Sequence, residues 1–390
     1  MASSPDETTK SRQERTTRVN PQTQFCHNLD CSARGTVGEG NIRIFSQKKQ
    51  RYDCKVCGKT FSATNATPFY RLRTAVDLVT LVLSLLVHGC PTQAIVAAFG
   101  LDERTVATWQ QRAGSHAQKV HEHIIEQGKV DLQHVQADEL WVKLVGQRVW
   151  MALAMAVPSR LWLGGVISPK RDKALISALV RRVRRAALST AILVCVDGLA
   201  SYASAFPSAF RHAVLTGRRG RPRLVLAAGF QLAQVVKHSA KHHVTSVTQR
   251  VVQGTSAGIL AVLRATRTGV MINTAYIERL NATFRSRLSC LTRRGRGIAR
   301  TQVLVNGGMW LVGASYNFCT FHASLREVAP TGAGRKWAER TPAMAAGLSD
   351  HRWTLTELLQ YQVPPPAWVA PKRRGRPPKG ASQPSAGVDT

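Results

Sequence analysis

HVQADELWVKL at residues 134–144 and AILVCVD at 191–197 decide how the rest of this chain is read. In the first, strand alternation sets Asp138 on the face of Leu140, Val142 and Leu144, a half-buried side where a lone carboxylate is costly; Glu139 points to the opposite face. In the second, a continuous apolar run of the kind buried inside a sheet ends on Asp197, and in open α/β sheets ligands collect at the carboxyl ends of strands. RVWMALAMAV (148–157) and RLWLGGVIS (160–168) continue the strand texture, and the amphipathic KALISALVRRVRRAAL (173–188) supplies a helix between the two decisive strands. The expected fold class is therefore α/β, a mixed sheet with flanking helices over residues 128–326.

Further along, YIERLNATFRSRLSCL (276–291) carries Ile277, Leu280, Phe284, Leu288 and Leu291 at helical spacing, with Glu278, Asn281 and Arg285 on the flank of that stripe. Between Asp138 and Glu278 inclusive the only carboxylates are Asp138, Glu139, Asp172, Asp197 and Glu278. From Gly198 to Ile277 there are ten Lys and Arg and no acid, a span that repels a metal ion and attracts phosphate. Asp138, Asp197 and Glu278 are thus the candidate hard-oxygen ligands for Mg²⁺ or Mn²⁺, with Glu139 the alternative first acid. Two such ions roughly 3.5–4 Å apart suit phosphodiester displacement.

The flanking segments agree with a polyanionic partner. The chain has 54 Lys plus Arg against 22 acids, a formal charge of +32. Such an excess favours nucleic acid nearby. Residues 1–24 are polar and charged and read as a disordered leader; they lack the apolar stretch of a secretory signal, and no uncharged apolar run long enough to span a bilayer follows. A reducing, cytoplasmic setting is expected, with thiols rather than disulfides. Residues 25–66 hold Cys26-x4-Cys31 and, after a gap of 22 residues, Cys54-x2-Cys57, two thiolate pairs suited to one structural Zn²⁺ in a zinc ribbon. Cys90, Cys195, Cys290 and Cys319 lie in apolar contexts and read as small core residues.

Residues 67–127 read as a helix-turn-helix, whose second helix offers Arg104, Thr105, Thr108, Gln110, Gln111 and Arg112 to phosphates and base edges. Residues 327–363 form a C-terminal extension. Residues 364–390 read as a flexible basic tail, in which Arg374, Gly375, Arg376 and Pro377 make an AT-hook-like strip for a narrow minor groove. Of the histidines in VVKHSAKHHV (235–244), which ordinarily face solvent, His238 is the candidate for positioning substrate.

The order of ribbon, helix-turn-helix, ADELW, VDG and NTAYIERLNATFRSRL resembles DDE transposases of bacterial insertion sequences, of the insertion-sequence-one type, over roughly residues 25–350. TPAMAAGLSDHRWTLTELL (341–359) resembles the end of that family's longer members. The resemblance implies a ribonuclease-H-like catalytic domain, catalytic roles for Asp138, Asp197 and Glu278, and substrate positioning by Asn281 and Arg285. It also implies recognition of an element's terminal repeats by a bacterial protein acting as a homodimer or higher assembly on DNA. Two alternatives use the same modules: a metal-dependent nuclease that cuts without joining, and a non-catalytic DNA-binding relic or repressor.

Overall fold

The structure, a computed structural model, describes residues 20–215, 217, 220–240, 243–292, 298–329, 334 and 336–370. The chain divides into two compact units, one of Met1–Asn65 with Pro364–Thr390, the other of Ala66–Val363.

In the first unit, β1 (Ile42–Ser46), β2 (Arg51–Cys54) and β3 (Thr60–Ser62) form an antiparallel meander. Its core is small: Ile42, Tyr52 and Phe61 pack with Cys26, Cys31 and Cys54. Too little apolar area is buried there for the meander to hold itself without a further cross-link. The start of the expected tail is tied down: Arg34 donates from Nε to the Pro366 carbonyl at 2.7 Å and from Nη2 to that of Ala367 at 3.0 Å.

The second unit begins with α1 (Val76–Val87), α2 (Thr92–Phe99) and α3 (Glu103–His121). Gly100, at φ 62°, ends α2 in the left-handed region, and Asp102 caps α3 by accepting from the backbone N–H groups of Arg104 at 2.8 Å and Thr105 at 3.3 Å. A π-helical turn, Glu122–Gln127, follows α3. Its buried Glu126 is held by Arg182 and Arg185, each at 2.5 Å.

The central sheet uses β4 (His134–Leu144), β5 (Gln147–Ala156) and β6 (Leu161–Ser168), then, after α4 (Lys173–Ala186), β7 (Leu193–Asp197). The chain continues through α5 (Ala200–Ala209) and the small β8–β9 pair (Arg211–Val214, Arg223–Leu226) to the long β10–β11 hairpin (Gln231–Ala240, His243–Gln253). The strand order is β11-β10-β7-β4-β5-β6; β4, β7 and β10 run parallel, and the other neighbours antiparallel. This is the mixed α/β sheet with flanking helices expected from the sequence. The histidine-bearing segment, to which the sequence assigned no element, lies on the β10–β11 ribbon, most of whose outer residues are exposed.

After the hairpin come α6 (Ser256–Ala265), α7 (Ala275–Arg287) and α8 (Gln302–Cys319), and beyond them the short α9 (Pro342–Ala345) and α10 (Leu355–Gln360). Alternation on β7 divides the packing. Leu193 and Cys195 meet Ile259 and Leu263 of α6, while Val194 and Val196 join the main core. Trp162 of β6 sits against Phe284 of α7 and Trp310 of α8, at ring separations of 5.7 and 5.0 Å. α3 and α8 cross backbone to backbone. A Cβ on Gly114 would stand 2.2 Å from the Gly307 carbonyl oxygen and 2.4 Å from its Cα, so only glycine permits the approach. No helix among the described residues is long and apolar enough to cross a membrane.

Candidate metal centre

The parallel ladder that pairs His134 with Leu193 and Ala137 with Val196 brings Asp138 level with Asp197 one residue further on. Two carboxylates nearly sixty residues apart thus come side by side because apolar β4 and β7 are hydrogen-bonded neighbours. Asp138, Glu139 and Asp197 each place a carboxylate oxygen within 4.8 Å of the others. Glu278 stands outside that tight group but lines the same cleft of about 410 Å³ as Asp138 and Asp197, together with Arg171, Lys237 and Thr274.

Glu278 reaches the cleft because α7 is docked on β4. Gln136, fully buried two residues before Asp138, accepts from the backbone N–H groups of Tyr276 at 3.1 Å and Ile277 at 3.0 Å, and donates to the Asn273 carbonyl at 2.8 Å. Thr274, at the N-cap position of α7, makes no side-chain cap of its own; its hydroxyl donates instead to Glu278 at 3.1 Å. A strand side chain therefore does the capping, which fixes the helix start to the sheet. Three residues past Glu278, Asn281 donates from Nδ2 to Asp138 Oδ2 at 2.7 Å.

Each carboxylate is oriented differently. Asp138 Oδ1 accepts from the Glu139 amide at 2.8 Å, and Asp197 Oδ1 from the Leu199 amide at 3.0 Å. Glu139 is buried and bound on both oxygens: Tyr202 donates to Oε2 at 2.7 Å and Arg171 Nε to Oε1 at 2.5 Å. Arg171 also reaches Asp197 Oδ2 at 3.3 Å, and Lys237 pairs with Glu278 at 2.7 Å. Burial, and then the negative charge of Glu139 and Asp197, push the Asp138 carboxyl up to about 7. Burial followed by Asp197 also raises Glu139, against the pull of Tyr202 and Arg171.

The donor set fits a hard divalent cation. Carboxylates converge on one cleft, and the buried amide oxygen of Asn281, beside Asp138, has no hydrogen-bond partner. Asp138 lines the cleft, whereas Glu139 is outside its lining and is engaged on both oxygens by Tyr202 and Arg171.

The other expected site residues fall in several places. His238 shares a 3.2 Å hydrogen bond with Thr248 across the hairpin and does not line the cleft; its neighbour Lys237 does. Arg285 is half-buried on α7 and is likewise outside the cleft lining. On α3, Arg104, Thr108 and Gln111 form one exposed stripe with Thr105 half-buried beside it. Arg112 turns inward to donate to the Tyr70 carbonyl, and Gln110 donates to Leu304 of α8 at 3.4 Å. Arg374, Gly375, Arg376 and Pro377 lie outside the described residues.

Sequence reading missed Arg171, Lys237 and Gln136. Gln136 left a signal, a polar residue on the face of β4 that also carries Asp138, where strand alternation buries it.

In the first unit, the sulfurs of Cys26, Cys31, Cys54 and Cys57 all lie within 4.8 Å of one another. Cys26 and Cys57 are 3.6 Å apart, and Cys31 and Cys54 3.8 Å. A Zn–S bond of about 2.3 Å sets tetrahedral sulfur neighbours about 3.8 Å apart, so this cluster could hold Zn²⁺ with little movement. Gly58, at φ 68°, allows the turn that returns its N–H to the Cys54 carbonyl at 2.8 Å.

A scan of the chain against protein-family models gives no match, and a search among curated proteins gives none either.

Proposed function

We propose that this protein is a transposase that binds the terminal repeats of its insertion sequence and performs metal-dependent cleavage and transfer of DNA strands. The observation that carries the reading is the convergence of Asp138, Asp197 and Glu278, from two strands and a helix far apart in sequence, on one cleft beside the carboxyl end of β7. The strand order supports a ribonuclease-H-like catalytic domain: from β6 across to β10, the five strands run third, second, first, fourth, fifth in chain order.

Mg²⁺ or Mn²⁺, as a pair, would supply charge stabilisation to the attacking and leaving oxygens of a phosphodiester. Asp138, Asp197 and Glu278 are the residues that would hold them. Asn281 and the Glu139 amide fix the Asp138 carboxylate, the Leu199 amide fixes that of Asp197, and Gln136 fixes the helix that brings Glu278. Arg171 and Lys237 give the cleft a positive rim that suits a phosphate. The exposed stripe of Arg104, Thr108 and Gln111 serves DNA contact, and the four cysteines serve structural Zn²⁺. Paired DNA ends call for a homodimer or larger assembly on DNA.

The test uses a supercoiled plasmid carrying the element's ends, incubated with Mg²⁺ or Mn²⁺. Wild type is expected to cut and join, whereas Asp197→Ala and Glu278→Ala bind the ends and do neither. Cutting by both variants at the wild-type rate would move the active site elsewhere, and binding without cutting by wild type would leave only a DNA-binding role.

A further inference from the structure

Two basic side chains already stand among the carboxylates of the cleft. Arg171 bridges the acids of the sheet, on Glu139 Oε1 at 2.5 Å through Nε and on Asp197 Oδ2 at 3.3 Å through Nη2. Lys237 sits on Glu278 at 2.7 Å. Both line the cleft and both keep substantial exposure, 37% for the Arg171 side chain and 50% for that of Lys237, so each has room to turn to another anion. The two come from different elements, the loop before α4 and strand β10, yet they neutralise the two acids that a divalent ion also needs, Asp197 and Glu278.

We propose that Arg171 and Lys237 are phosphate-binding residues that rest on the metal-binding acids until DNA arrives, so that DNA and divalent metal bind this cleft cooperatively. The inference rests on the metal and DNA reading of the cleft given above. Without DNA, an incoming cation competes with a guanidinium and an ammonium for the same oxygens. A phosphodiester entering the cleft offers both groups a new partner, bidentate for the guanidinium fork and a point contact for the ammonium. Once they transfer, Asp197 Oδ2 and Glu278 Oε1 lose their cationic partners and can take a metal ion instead. By linkage, whatever factor DNA adds to metal affinity, metal adds to DNA affinity.

The expected size follows from exposure. The Lys237–Glu278 pair is half exposed, and such pairs are weak, so its removal should tighten metal binding only about threefold. Arg171 engages a buried partner and should matter more.

The experiment titrates Mn²⁺ into full-length protein, following free Mn²⁺ by electron paramagnetic resonance, with and without a short mixed-sequence DNA duplex. For wild type the duplex is expected to lower the Mn²⁺ dissociation constant about tenfold. Lys237→Met should bind Mn²⁺ more tightly than wild type in the absence of DNA and gain less from the duplex. The double variant Arg171→Met, Lys237→Met should gain least. Since Arg171→Met strips a partner from buried Glu139, Lys237→Met is the variant that decides if the double variant melts early. Equal Mn²⁺ affinity with and without duplex, unchanged in Lys237→Met, overturns the proposal while leaving the metal site intact. No Mn²⁺ binding sensitive to Asp197→Ala under any condition overturns the metal reading itself.

Discussion

Asp138 is a residue on which burial and neighbouring charge act in the same direction. Its carboxyl is lifted from an ordinary value of 3.8 to about 7 by burial and by the acids around it. An acid whose pKa is higher in the folded chain penalises folding once it ionises. Below about pH 4 it is protonated in both states and the penalty is absent; as pH rises through 7 the penalty is fully present. Asp138→Asn removes the charge, so it should raise the stability of the metal-free protein at pH 8 by on the order of 1–3 kcal/mol, and the gain should vanish near pH 4. Thermal melts of the two proteins at both pH values check this. Mg²⁺ should narrow the difference at pH 8, because metal binding favours the ionised wild-type site.

At the scale of elements, the site depends on how α7 and α3 are attached to the sheet. Gln136 supplies the acceptor for the first amides of α7, so Gln136→Leu should cost about 1–3 kcal/mol and leave those N–H groups unpaired. Because Glu278 lies in the first turn of that helix, metal affinity should fall with it, which Mn²⁺ titration alongside denaturant unfolding would measure. Gly114→Ala forces α3 away from α8 at a backbone contact with nothing flexible to yield. A loss of about 1–3 kcal/mol is expected in urea unfolding. The sheet strands and the stripe of Ile277, Leu280 and Phe284 were legible in the sequence because their periodicity is simple and their apolar content high. Helix α7 ends at Arg287, so the buried stripe continues beyond it, through Leu288 at the C-cap and Leu291 in a short 3-10 turn. The β10–β11 ribbon was not legible: its outer residues are solvated on both sides, which erases the alternation that marks a half-buried strand. Lys237 and Arg171 escaped notice for a related reason, since their roles come from partners across the fold rather than from near neighbours.

For the molecule as a whole, the helices carrying the expected DNA-contact stripe and the sheet carrying the carboxylates share one continuous core from Phe69 to Leu359, and the cysteine-bearing unit has its own. The two should therefore respond differently to chelation. If the four cysteines hold Zn²⁺, the purified protein contains one zinc per chain, and Cys54→Ser lowers that content without lowering the melting temperature of the Ala66–Val363 unit. Elemental analysis and calorimetry of both proteins decide it; full zinc content in the variant would contradict the assignment.

The central claim is that the carboxylates of this cleft act through a bound metal on DNA, and a change of ligand chemistry tests it most directly. Cleavage of the plasmid substrate by Asp197→Cys would be compared in Mg²⁺ and in Mn²⁺, which tolerates a thiolate ligand better. The account predicts that the variant is inactive in Mg²⁺ and recovers cleavage in Mn²⁺. Undiminished cleavage by Asp197→Cys in Mg²⁺, or cleavage by wild type in excess chelator, would contradict it.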